Sequence, residues 1–184
     1  MTTNAIPAGI EPEDLLTMSG GDNYELINGV LKEKPMGAES DEISSTLNML
    51  IKAFVRQNGL GHVYGSQTGY KCFIGKPKLV RKPDLSFVAA GRLPDDKTPK
   101  GDILIAPDLA VEVVSPNDTY EEVAVRIADL KSADVKLIWV ISPETRTVLV
   151  RRLDGTCAEV GEAGTLSGED VLPGFACPVA ELFV

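Results

Sequence analysis

Apolar residues recur along this chain with two periods, and the switches between them divide it into elements. From about 40 to 57, Ile43, Leu47, Leu50, Ile51, Phe54 and Val55 fall three or four residues apart, which predicts an amphipathic helix stopped by Asn58-Gly59. A second helix is predicted over 120–133, with Val123, Ile127 and Leu130 as its buried stripe, and a short one over 11–18 with Pro12 in its first turn. Between them lie short runs of strand character. Residues 24–27 and 30–33 flank Asn28-Gly29, the strongest two-residue hairpin signal. Further strands are predicted over 62–66, 69–74, 84–89, 109–114, 136–141 and 147–152, with a polar, proline- and lysine-rich loop over 91–102. From Gly155 onward the pattern is loop with short strands. Helix, hairpin, helix, strands, helix and strands in this order predict an α/β chain, a mixed sheet with helices packed on it, forming one domain over 1–184.

Two positions break the pattern. Glu112 sits in the middle of Leu109-Ala110-Val111-Glu112-Val113-Val114, a run apolar enough to be buried on both faces. Asp84 opens a similar run, Asp84-Leu85-Ser86-Phe87-Val88. An ionised carboxylate in such a place costs several kcal/mol unless a cation, a metal or hydrogen-bond donors compensate it. Two acids on what should be neighbouring strands, together with the Val113 backbone carbonyl, offer oxygen ligands of the kind Mg²⁺ takes. A cation so held activates water and neutralises charge on a scissile phosphate. The structural alternatives are a strand-start or turn role for Asp84 and an ion pair between Glu112 and Arg126. Arg126 could equally bridge Glu122 and Asp129 at helical spacing.

Composition narrows the function classes. With 43% hydrophobic and 24% charged residues the chain reads as an ordinary globular protein. No apolar run is long enough for a membrane span, and Met1–Pro7 lacks the basic segment and apolar core of a signal peptide. Three widely spaced cysteines, Cys72, Cys157 and Cys177, argue against a disulfide framework or zinc site, so a cytoplasmic location is expected. His62 is the sole histidine, which removes most imidazole-based chemistry. A net charge of -9 argues against a general nucleic-acid-coating surface but leaves room for a local basic cleft. Lys71, Lys76, Lys78, Arg81 and Lys82 cluster just before Asp84; a solvated loop and a phosphate-contacting rim fit them equally well.

The segments Tyr24-Glu25-Leu26-Ile27-Asn28-Gly29, Arg81-Lys82-Pro83-Asp84-Leu85-Ser86-Phe87-Val88 and Pro107-Asp108-Leu109-Ala110-Val111-Glu112-Val113-Val114-Ser115-Pro116 resemble the PD-(D/E)XK nuclease superfamily, specifically its Uma-type branch of restriction endonucleases. Leu137 to Pro143 and Val171 to Phe183 fit the same branch, so the resemblance spans nearly the whole chain. It implies a restriction-endonuclease-like fold, with the hairpin as an N-terminal extension, and Mg²⁺-dependent hydrolysis of DNA, with Mn²⁺ as a substitute ion. Asp84 and Glu112 would hold the metal, and homodimers are implied. The superfamily's usual lysine position, two past the glutamate, is Val114; in the Uma-type branch the lysine lies on the following helix, and the matching residue is Arg126. An arginine there can clamp a phosphate but cannot act as a base near neutral pH.

Other positions depart from the branch. Gln67 stands for a glutamate, Ser40 for a histidine, and Asp134 and Ser142 for a glycine and an aspartate. Gln67 is a candidate further oxygen ligand, and Glu25, Glu39, Asp41 or Glu42 a candidate further acid. These departures keep a rival open, a nuclease-derived fold that binds without cleaving. A hydrolase of small phosphorylated ligands is a third reading.

Overall fold

The structure, a computed structural model, describes residues 9–183, and the leader-peptide reading of Met1–Pro7 lies outside them. Its centre is a mixed six-stranded sheet of strands β3 (Gly61–Gly65), β5 (Leu85–Ala89), β6 (Leu109–Val113), β7 (Leu137–Ser142), β8 (Thr147–Arg152) and β9 (Cys157–Gly161), in that spatial order. Every neighbouring pair is antiparallel except β6 and β7. That parallel pair needs a crossover, which helix α3 (Tyr120–Ser132) supplies. The α/β mixed sheet expected from the sequence is therefore the fold observed.

Strand alternation sends β6 side chains to two different cores. Leu109, Val111 and Val113 join Leu85, Phe87, Trp139 and Ile141 under helix α2 (Ala38–Asn58), which contributes Ile43, Leu47, Ile51 and Val55. The hairpin β10 (Thr165–Ser167) and β11 (Ala176–Pro178) covers the same face with Leu166, Phe175 and Cys177. On the opposite face Ala110, Ile138 and Val140 pack against Ile127 and Leu130 of α3. Glu112 alternates with Val113 and so points to the α3 side.

A second, three-stranded sheet places strand β1 (Tyr24–Ile27) between β2 (Val30–Glu33) and β4 (Leu79–Val80). The β1–β2 hairpin turns through Asn28 and Gly29, both with positive φ (53° and 80°), the conformation a two-residue I′ turn demands. Helix α1 (Pro12–Thr17) packs its Leu15 on this hairpin beside Leu26, Leu31 and Val80.

One expected strand does not form. Residues 69–74 make only isolated bridges at Tyr70, to Arg81 and to Ile103. The alternation there reflects burial of Tyr70 and Phe73 in a cluster with Leu79, Val88 and Ile103, not ladder pairing. The short β4 was not anticipated, because two residues carry no period.

Candidate active site

Asp84 and Glu112 lie on adjacent chain segments, and both are buried. Asp84 immediately precedes β5, its N–H donating to the Val111 carbonyl, while its Oδ2 accepts the Val113 N–H at 2.7 Å. This second bond leaves Oδ1 as the oxygen that meets Lys34. Both acids converge on a single nitrogen, the Lys34 Nζ, which lies 3.0 Å from Asp84 Oδ1 and 3.2 Å from Glu112 Oε2. The same ammonium donates to the Lys82 carbonyl at 2.6 Å and to Glu112 Oε2, and its contact with Asp84 Oδ1 is an ion pair, so three oxygens surround it. Val113 lines the cleft, but the backbone oxygen found at the cation position belongs to Lys82.

Lys34 follows directly after β2, and its side chain is only 16% exposed. Burial opposes its charge, but Glu112 and then Asp84 outweigh that and raise its pKa above the ordinary ammonium value. Sequence reasoning missed this residue. A lysine followed by Pro35 at the end of a hairpin has the pattern of a solvated strand end, and only tertiary folding of the hairpin over β5 and β6 turns it inward.

Arg126 arrives from the opposite side. Its Nε lies 3.1 Å from Glu112 Oε2 without an aligned hydrogen bond, and its Nη2 lies 2.8 Å from Asp118 Oδ1. Two local devices fix that position. Asp118 Oδ2 accepts the Ser115 N–H, closing the turn after β6. Thr119 caps α3 through a reciprocal box with Glu122. Bridging of Glu122 and Asp129 by Arg126 is not what the structure shows; Arg126 faces inward and pairs with Glu112. Burial raises the Glu112 pKa above the ordinary carboxylate range, Lys34 opposes this, Asp84 adds to it, and Arg126 opposes it again.

Beneath the acids lies a second buried charge cluster. Arg81 donates to Glu25 Oε2 at 2.6 Å and, through Nε and Nη2, to Asp129 Oδ2 at 2.9 and 2.6 Å. Lys76 completes Asp129 at 2.6 Å, and the Lys82 N–H completes Glu25 at 2.8 Å. Glu25 thus lines the cleft with both oxygens already used, and it ties β1 through Arg81 to α3. The basic cluster between 71 and 82 divides: Lys76 and Lys78 stay half-exposed, while Arg81 and Lys82 are buried. Lys71 pairs with Glu13, Lys78 with Glu11, and Lys82 is buried on the Gly21 and Asp22 carbonyls. These cations act as tethers that fasten this segment to α1, β1 and α3.

A cleft of about 560 Å³ opens beside the site; Asp84 lines it, while Glu112 is buried behind its lining. Lys32, Lys34, Met36 and Ser40 line one wall, and Ser115, Asp118, Glu122 and Arg126 the other. Lys32 and Glu122 meet across it at 2.5 Å. Ser40 Oγ is buried there without a hydrogen-bond partner. Gln67 is exposed and lines an adjoining cleft, while Glu39, Asp41 and Glu42 are all exposed on α2.

Among the described residues no three His, Cys, Asp or Glu side chains cluster closely enough to hold a metal by themselves. The donor set nevertheless fits a hard cation. Two carboxylate oxygens and a backbone carbonyl already surround one positive charge, and Mg²⁺ is commonly held by one or two carboxylates with water or phosphate completing its shell.

No helix among the described residues is long and apolar enough to cross a membrane. No curated protein matches the chain. A crystal structure from Anabaena variabilis ATCC 29413, described as "a putative nuclease belonging to DUF820", superposes with a TM-score of 0.78 at 22% identity, covering 95% of this chain and 97% of that one. The likeness establishes a shared fold. A family model described as "Putative restriction endonuclease" matches residues 12–180, nearly the full length, and the chain belongs to that family, Uma2.

Proposed function

We propose that this protein is a divalent-metal-dependent endonuclease that hydrolyses DNA phosphodiester bonds. The observation that carries the reading is the convergence of Asp84 Oδ1 and Glu112 Oε2 on one cation beside a cleft that Asp84, Lys34 and Arg126 line. Membership of a restriction-endonuclease family supports the substrate class. A divalent cation held there supplies Lewis-acid activation of water and neutralises charge on the phosphate. Asp84, locked by the Val113 N–H, presents one oxygen in a fixed direction, and the Val113 carbonyl is a further candidate ligand. Glu112 presents the second oxygen from β6. Arg126 stands on the cleft wall as a permanent cation, able to hold a non-bridging phosphate oxygen and stabilise the developing charge. The Ser40 hydroxyl gives the opposite wall an unused hydrogen-bonding group.

One observation favours a second reading, a nuclease fold that binds without cleaving. Both acids already have protein counter-ions in Lys34 and Arg126, so the site is charge-balanced as it stands. Incubation of supercoiled plasmid and single-stranded DNA with Mg²⁺ or Mn²⁺ separates the two. Cleavage by the wild type that is lost in Asp84→Asn and Glu112→Gln supports the endonuclease. DNA binding without cleavage supports the second reading, and cleavage surviving both substitutions overturns the assignment of the site.

A further inference from the structure

We infer that Lys34 is an intramolecular competitor for the divalent cation, a tethered ammonium that holds the two acids together and must leave before a metal can enter. The inference rests on the metal reading of Asp84 and Glu112. Lys34 Nζ is within hydrogen-bond range of one oxygen from each acid and of the Lys82 carbonyl. A metal bound to those oxygens at about 2.1 Å would need the same space, so the two cannot coexist.

Charge leads to the same conclusion. Two carboxylates face two cations, so adding a doubly charged ion leaves a surplus of two positive charges, which withdrawal of one cation halves. Arg126 is poorly placed to withdraw, since Asp118 holds its far end and α3 carries its backbone. Lys34 has no carboxylate partner other than Asp84 and Glu112 among the described residues. Its flexible four-carbon stem starts beyond the end of β2, at the wall of the cleft, and the cleft is the space into which it can swing. A phosphate seated on the metal would lie in that cleft, so the displaced ammonium would meet an anion. Lys34 therefore links loading of the metal to arrival of a polyanionic ligand: it disfavours the metal in the empty site and stops opposing it once phosphate is present.

The test measures Mn²⁺ binding, by calorimetry and by loss of the free-ion paramagnetic resonance signal, for wild type, Lys34→Met and Lys34→Gln, with Asp84→Asn/Glu112→Gln as the control. Breaking one or two charge-assisted hydrogen bonds opposes the metal in the wild type, so Lys34→Met should bind Mn²⁺ roughly 10- to 100-fold more tightly. Lys34→Gln should also bind more tightly than wild type. It retains a neutral donor for the acids, which keeps the test available if Lys34→Met does not fold. Short double-stranded DNA should tighten Mn²⁺ binding by the wild type more than by either variant. Equal or weaker binding by the variants, with wild type and variants all losing Mn²⁺ in the acid double mutant, overturns the competitor role while leaving the metal site standing. No binding by any form, with or without DNA, overturns the metal site and this inference together.

Discussion

Replacing Arg126 by alanine separates its two roles, because each leaves a different signature. As a counter-ion it supports a buried Glu112 and fixes Asp118. Removing one partner of a fully isolated buried pair typically costs about 3–5 kcal/mol. Glu112 is not isolated, because Lys34 remains 3.2 Å away, and the Arg126 contact lacks an aligned hydrogen bond. The loss should therefore be nearer that of charged hydrogen bonding, about 1.5–3 kcal/mol. For a chain of this size that corresponds to a fall in Tm of roughly 3–12 °C. As a phosphate clamp Arg126 would matter more to rate than to folding: losing a positioned donor at the developing charge costs about 10²- to 10³-fold in kcat. Arg126→Lys should keep much of the activity, since an ammonium can still reach the phosphate, but not the simultaneous hold on Glu112 and Asp118. Thermal melts and plasmid nicking with Mg²⁺ on the three proteins read both roles. Arg126→Ala that melts lower yet nicks at the wild-type rate would refute the clamp, and Arg126→Ala with an unchanged Tm would refute the counter-ion.

Two structural predictions follow from neighbouring features. Arg81→Met leaves Glu25 and Asp129 buried with only the Lys82 N–H and the half-exposed Lys76, so urea denaturation should show a loss of about 3–5 kcal/mol; a loss under about 1 kcal/mol would mean the cluster does not couple β1 to α3. Gly61 has φ +141° and a Cβ there would lie 2.2 Å from the Val88 carbonyl oxygen, so Gly61→Ala should cost at least about 2 kcal/mol by forcing β3 from β5, and near-neutral denaturation curves would contradict that geometry.

The elements with clear periods were legible in the sequence. The 3.6-residue stripe of α2, the Asn28-Gly29 hairpin and the apolar runs of β6 and β7 correspond to observed elements with only small shifts at their ends. Asp84 and Glu112 were legible because one opens and the other interrupts a buried strand, and their proximity followed from strand pairing. Lys34 was not legible, since nothing local distinguishes an inward lysine at a strand end from a solvated one. The cations at 71–82 were visible as a cluster, but their partners are spread over α1, β1 and α3, which no spacing along the chain reveals. Tyr70 misled in the other direction. Its burial came from a side-chain cluster, and alternation alone cannot tell that from membership of a ladder.

The wide separation of the charged residues along the chain has a consequence for the timing of assembly. Glu25 and Lys34 come from the hairpin, Arg81 and Asp84 from the lead into β5, Glu112 from β6, and Arg126 and Asp129 from α3. These contacts have high sequence separation, so their loop-closure entropy is spent before the contacts form. During synthesis, Glu112 emerges before either Arg126 or its helix, and the two acids cannot be fully balanced until α3 has docked. A fragment ending before α3 would carry the carboxylates with half of their compensation and without the parallel strand that the helix delivers. Formation of the site is thus expected late in folding, coupled to closure of the sheet, and a partly folded chain should hold Glu112 without its arginine.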